Sequence, residues 1–325
     1  MNGVNWEYDE PKYLSNWSLQ LIGNPSIGLG AANQRNFHIN FSLDDFGDYN
    51  GGTPYLSSPH VNMISMSDPY RAKIRLEVLL KIFNGIRTVL DYPTYLNGKD
   101  LYLKQGDRFT LFSNTRPIEN RDDFDIKEEG FNIVLEELSN PFNPDLVSYL
   151  ENKRRSYNIA SDSESLMFDR ASKDDMYRDV LIWRALCAED RINFIANAYK
   201  ILDTLRTYCD KNNLNKIDHP FVNAVKSFRD KYKTYMNIHD YCGIVSRHGH
   251  DKNPISQETK SKITFKKIES DLNELILHWT QYLHDKDIQE QQLGLDNVYT
   301  VTIEAHDYAE GLSTSNETKN FFDLF

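Results

Sequence analysis

Disulfides cannot be the frame of this chain, because its 325 residues carry three cysteines, Cys187, Cys209 and Cys242, an odd number set far apart. Each lies in an apolar or helical pattern, which reads as buried thiols in a reducing compartment, not a zinc knuckle. Long apolar runs are missing too: no stretch approaches the roughly eighteen residues of a membrane span. The first residues, MNGVNWEYDEPKY, lack the basic segment and apolar core of a signal peptide. The expectation is a cytoplasmic protein with no membrane association. Positive charge is short overall, and a net charge of −11 argues against a protein that coats DNA non-specifically.

Cofactor signatures are equally thin. The stretch SIGLGAAN places Gly28 and Gly30 after a strand, as a phosphate-binding turn would. A strand pattern follows instead of a helix, and the third glycine is missing, so a surface loop explains it better. The acidic clusters Asp44, Asp45, Asp48 and Asp122, Asp123, Asp125 lack the glycine and terminal glutamate of a calcium loop and read as solvated loops. His38 and His60 stand apart from other ligand types and read as ordinary polar contacts. No cofactor and no metal are expected.

What the chain does have is apolar and aromatic residues in periodic order. WSLQLI (17–22) and NFHINFSL (36–43) alternate with period two, the mark of half-buried strands. VNMISM (61–66), DLYLKQ (100–105) and RFTLFS (108–113) are further strand candidates, and FNIVLEEL (131–138) fits a strand or a short helix. Among them, Asp68 stands where a helix cap would, Pro69 at the first helical position, and Leu76, Leu79, Leu80, Phe83, Ile86 and Leu90 follow at helical spacing. The fold class is α+β: a mostly antiparallel N-terminal sheet with one long helix, then a C-terminal α-helical bundle.

Residues 141–175 read as a connecting region, polar and charged, with a short helix near Leu146–Lys153. From Met176 to Tyr208 the apolar spacing is helical, as one long kinked helix or two abutting ones. Another helix begins after Pro220 through Phe221, Val225, Phe228 and Tyr232, and a third from about Thr264 through Phe265, Ile268, Leu272 and Ile276. The expected organisation is an α+β domain over 1–140, the connection over 141–175, a helical bundle over 176–290, and a strand (298–305) with a polar tail over 291–325.

Between the last two bundle helices runs IVSRHGHD (244–251), an arginine, two histidines around a glycine, and an aspartate. Gly249 suits a helix stop and Pro254 blocks smooth continuation, so these side chains belong at a helix end facing a loop. From Lys211 to Lys267 twelve Lys and Arg face five Asp and Glu, a local excess of seven positive charges within an acidic chain. Such a segment is either a solvated helix surface or a footprint for a phosphate-bearing ligand.

The segment CAEDRINFIANAYKILDTL (187–205) resembles the first long helix of HEPN domains, helical bundles of prokaryotic toxins, abortive-infection proteins and other defence systems. IVSRHGHDK before a long helix is similar to the place where those domains carry an arginine, a polar residue, a short gap and a histidine, often followed by glycine. The likeness covers about residues 176–285. It departs from the family pattern in that Arg247 directly precedes His248, while Tyr241, Cys242 and Gly243 upstream hold no arginine. The resemblance implies metal-independent endoribonuclease activity on RNA, in a homo-oligomer whose copies make a composite site. Such cleavage needs a base for the 2′-hydroxyl, an acid for the leaving oxygen and a cation on the phosphate. His248 and His250 have the near-neutral pKa for the first two roles, and Arg247 the fixed fork of donors for the third.

Two other readings stay open. A non-catalytic adaptor or sensor subunit would use the chain's surfaces, including the tip Phe321, Phe322, Leu324, Phe325, to hold a protein partner. A metal-dependent phosphohydrolase would use His-Asp pairs, which occur at 239–240, 250–251, 284–285 and 306–307. An ordinary capped turn also contains Arg, His and Asp.

Overall fold

The computed structural model describes residues 17–22, 38–41, 54–92, 95–105, 108–112, 130–148, 163–236 and 264–310. Its strands are β1 (Trp17–Ile22), β2 (His38–Phe41), β3 (Pro54–Ser57), β4 (Asn97–Gln105) and β5 (Arg108–Phe112). They form one antiparallel sheet in the order β2-β3-β1-β4-β5. Alternation decides the register: Leu19 pairs with Leu56 on one side and Leu101 on the other, and Trp17 with Leu103. These residues, with Leu21 and Phe112, are buried on one face. A one-residue slip would turn the whole apolar set outward.

That face is covered by α1 (Pro69–Val89), which packs on β1, β3 and β4. Asp68 caps it, accepting from the Arg71 N–H at 3.1 Å, with Pro69 in the first turn as the sequence requires. No residue of α1 is fully exposed, and from Val78 to Val89 only Lys81 and Thr88 escape burial. A helix buried on all sides has neighbours on all sides. The others are α2 (Gly130–Ser139), α3 (Ser163–Ala171) and α4 (Asp175–Glu189). At the crossing with α4, a Cβ on Gly85 would lie 2.1 Å from the Leu181 carbonyl oxygen, so only glycine permits this approach. Inside the core, Asn84 exchanges two hydrogen bonds with the backbone of Leu96, fixing α1 to the start of β4.

The bundle continues with α5 (Phe194–Lys211), packed on α4, then α6 (Pro220–Met236), packed on α5, and α7 (Phe265–Glu310). The helical stretch from Met176 to Tyr208 is two helices. Asp190 separates them by accepting from the Ile192 and Asn193 N–H groups at 2.9 and 3.2 Å, which closes a turn the helix cannot run through. Contacts divide the chain into two units, Met1–Leu277 and His278–Phe325, so the sheet and α1 to α6 share one unit. The α+β expectation holds: an antiparallel sheet with its long helix, then helices.

Three local readings are corrected. Residues 61–66 are no strand: Pro59–Val61 is a single 3₁₀ turn capped by Ser58, and turns follow. Val61 and Ile64, three apart, are buried, while Met63 and Met66 are 79% and 52% exposed, so the apparent alternation had no second buried face to serve. Residues 298–305 are helical, within α7. Strand preference of β-branched residues is small, about 1 kcal/mol across the scale, and a helix already nucleated adds one hydrogen bond per residue. FNIVLEEL takes the helical one of its two alternatives, in α2. Finally, β3 and α3 were not foreseen, the first because it opens on Pro54, the second because it lies in a polar stretch.

Candidate functional site

Arg247, His248 and His250 lie outside the described residues, as do Cys242, Gly28, Gly30 and the two acidic clusters. What is described is the frame on either side of that segment, the end of α6 and the start of α7.

Those two helix ends are joined on one carboxylate. Tyr232, fully buried, donates its hydroxyl to Asp271 Oδ2 at 2.6 Å, and Lys231 Nζ bonds the same oxygen. Lys267 Nζ reaches Asp271 Oδ1 at 2.8 Å. Burial would raise the Asp271 carboxyl, but the hydrogen bonds from Lys231, Lys267 and Tyr232 outweigh it and hold the group down at about 2. Burial first, then the hydrogen bond to Asp271 and its charge, pushes the Tyr232 hydroxyl well up, so it stays protonated and serves as a donor. Two ammonium groups on one carboxylate leave a net positive charge. Lys266 adds to it in the first turn of α7, which carries no acidic residue and so stands where the helix dipole is already positive.

A second set of bonds holds the other flank of α7. Arg191, in the turn between α4 and α5, pairs with Glu269 at 2.7 Å. Arg184 of α4, almost fully buried, donates from Nε to Asn273 Oδ1 at 2.7 Å, and Asn273 donates to the Thr88 carbonyl at the end of α1 at 2.8 Å. The first residue of α7, Phe265, is 47% exposed and meets Phe194 edge-on, ring centroids 5.2 Å apart. The start of α7 is therefore fixed on both sides, by α6 and by α4.

A further polar cluster lies under α2. Glu137 is 1% exposed, and its carboxylate takes Arg75 Nε at 2.6 Å, Arg75 Nη2 at 2.9 Å and Arg71 Nη1 at 2.9 Å. Arg75 also donates to the His60 carbonyl at 2.8 Å, and His60 Nδ1 accepts from the Asn143 N–H at 3.0 Å. Burial, with Arg75 beside it, depresses His60 to about 3. A neutral imidazole that accepts from backbone is a structural contact, the role the sequence suggested, and not an acid at neutral pH. Cys187 and Cys209 are buried, and burial pushes their thiols up to about 12 and about 11, so neither is a nucleophile. Among the described residues no three His, Cys, Asp or Glu side chains gather as a metal site would require. Among them, too, no helix is long and apolar enough to cross a membrane.

Sequence reasoning took Tyr232 as an apolar helix position and passed over Asp271, Asn273 and Phe265 as site residues. A signal existed for one of these: Lys267 and Asp271 are four apart on a helix, the spacing of an ion pair. Tyr232 and Asn273 act through partners distant in sequence, which no local pattern reveals. No family model, no curated protein and no solved structure matches this chain.

Proposed function

We propose that this chain is a metal-independent endoribonuclease of a prokaryotic defence or toxin system, acting in the cytoplasm as a homo-oligomer. Arg247 contacts the scissile phosphate. One of His248 and His250 takes the 2′-hydroxyl proton as that oxygen attacks phosphorus, and the other gives a proton to the departing 5′-oxygen, leaving a 2′,3′-cyclic phosphate. The observation that carries this reading is the joining of α6 and α7 on Asp271, which brings together the helix ends flanking the Arg-His segment amid an excess of lysine. The HEPN-like layout supports it independently.

The test is incubation of the purified chain with mixed RNA, with and without EDTA, against a His248→Ala/His250→Ala variant. Cleavage that survives EDTA and disappears in the variant is expected. Cleavage abolished by EDTA would instead favour the phosphohydrolase reading.

One observation favours an adaptor as the second reading. Helix α2 turns its buried Glu137 inward and three of its apolar residues outward, with Phe131 71%, Leu135 48% and Leu138 38% exposed. A protein partner would cover such a stripe. If the double variant kept every cellular activity of the intact chain, this reading would replace the nuclease.

A further inference from the structure

We propose that the first turn of α7 is a platform for single-stranded RNA, with Phe265 stacking a base and Lys231, Lys266, Lys267 and Arg191 holding the phosphates around it. This deepens the ribonuclease reading and rests on it for the identity of the ligand. Phe265 is a large aromatic ring, 47% exposed and perpendicular to Phe194 with ring centroids 5.2 Å apart, so that a nucleobase meets a ring already fixed in place. Cations stand on both flanks of the stripe that it ends. Helical spacing sets Phe265 at the N-terminal end of the buried stripe Ile268, Leu272, Leu275 and Ile276, with Glu269 on one flank of that stripe and Lys267 and Asp271 on the other. Arg191, paired with Glu269, therefore stands on the Glu269 flank, and Lys231, paired with Asp271, on the Lys267 flank. Lys266 lies between them on the exposed side.

All four cations keep donors for a ligand. Arg191 is 55% exposed and gives one guanidinium nitrogen to Glu269; Lys231 and Lys267 are 44% and 57% exposed and share Asp271. A helix is about 10 Å across, so a strand crossing its start spans two or three nucleotides: a phosphate at each flank and a base over the ring. Stacking on one face tolerates any base but requires it to be unpaired, which selects single strands over duplex. Asp271 here is a positioning residue, because it orients two lysines and faces the ligand only through them.

The experiment uses the full chain carrying His248→Ala, to prevent turnover, and measures fluorescence anisotropy of a labelled short oligouridylate and of an RNA duplex. The single strand should bind more tightly than the duplex. Phe265→Leu, which keeps an apolar contact with Phe194, should weaken single-strand binding about tenfold, and Phe265→Trp should restore it. Lys231→Gln and Lys267→Gln should each lower the slope of log affinity against log salt by about 0.7. Equal binding by wild type and Phe265→Leu, or preference for duplex, would overturn the platform. A chain that binds oligouridylate through Phe265 but never cleaves RNA would retain the platform and remove the nuclease, whereas absence of all RNA binding would remove both.

Discussion

At the scale of single residues, the account turns on polar groups whose surroundings set their charge. His60 is held neutral by burial, with its pKa lowered from 6.5 to about 3. Between those values the unfolded chain binds a proton that the folded chain does not, so this residue's contribution to stability is full above pH 6.5 and is lost as pH falls toward 3. Urea unfolding between these limits should show the free energy dropping with acid, by up to about 1.4 kcal/mol per pH unit from this one group. The slope should shrink in His60→Gln. Glu137 makes a different case: removing it leaves Arg71 and Arg75 without their shared carboxylate. Because both arginines are partly exposed, at 28% and 15%, the loss in Glu137→Ala should be about 2–3 kcal/mol, below the range for wholly buried pairs. A change under about 0.5 kcal/mol by urea denaturation would show that α2 is held by something else. Asp271 follows the carboxylate rule. Its depressed pKa makes its contribution complete above the ordinary range near 3.8 and lost as pH falls to about 2.

At the scale of elements, the crossing of α1 and α4 at Gly85 is close enough to test by a single methyl group. Alanine is a better helix former than glycine by about 1 kcal/mol, yet Gly85→Ala would put a methyl 2.1 Å from the Leu181 carbonyl oxygen, a backbone atom that cannot turn aside. The helices must separate, and a net loss of about 2 kcal/mol or more is expected by thermal unfolding. A stabilised variant would contradict the packing. The outward stripe of α2 gives the opposite expectation: Phe131→Ser with Leu135→Ser should change stability by less than about 0.5 kcal/mol per site. Legibility in the sequence follows the same physics. Capping by Asp68 and Pro69 and the alternation of Trp17, Leu19 and Leu21 are local and strong, so α1 and β1 could be read directly. Strand β3 opens on a proline and runs four residues, too short for a period to declare itself. The stretch 298–305 carries β-branched residues, and helix continuity overrode them. Of the candidate site, the Arg-His segment was visible as a motif, but the union of Tyr232 and Lys231 with Asp271 was not, since it joins positions about forty residues apart.

At the scale of the whole molecule, α1 ties the sheet to the helices that follow, so residues before and after the 141–175 connection belong to one packed unit. Unfolding followed by tryptophan fluorescence, with Trp17 in the sheet and Trp183 in α4, should coincide with unfolding followed by far-ultraviolet circular dichroism. The helices, in turn, hold the start of α7 against the end of α6 through Tyr232 and Lys231 on Asp271. The central claim is that RNA is cut there without a metal. The most direct measurement is the chemical nature of the cut ends when the purified chain acts on a labelled single-stranded RNA in EDTA. A 2′,3′-cyclic phosphate, absent with the His248→Ala/His250→Ala variant, is the predicted result; a 5′-phosphate with a free 3′-hydroxyl, or uncut RNA, would contradict it.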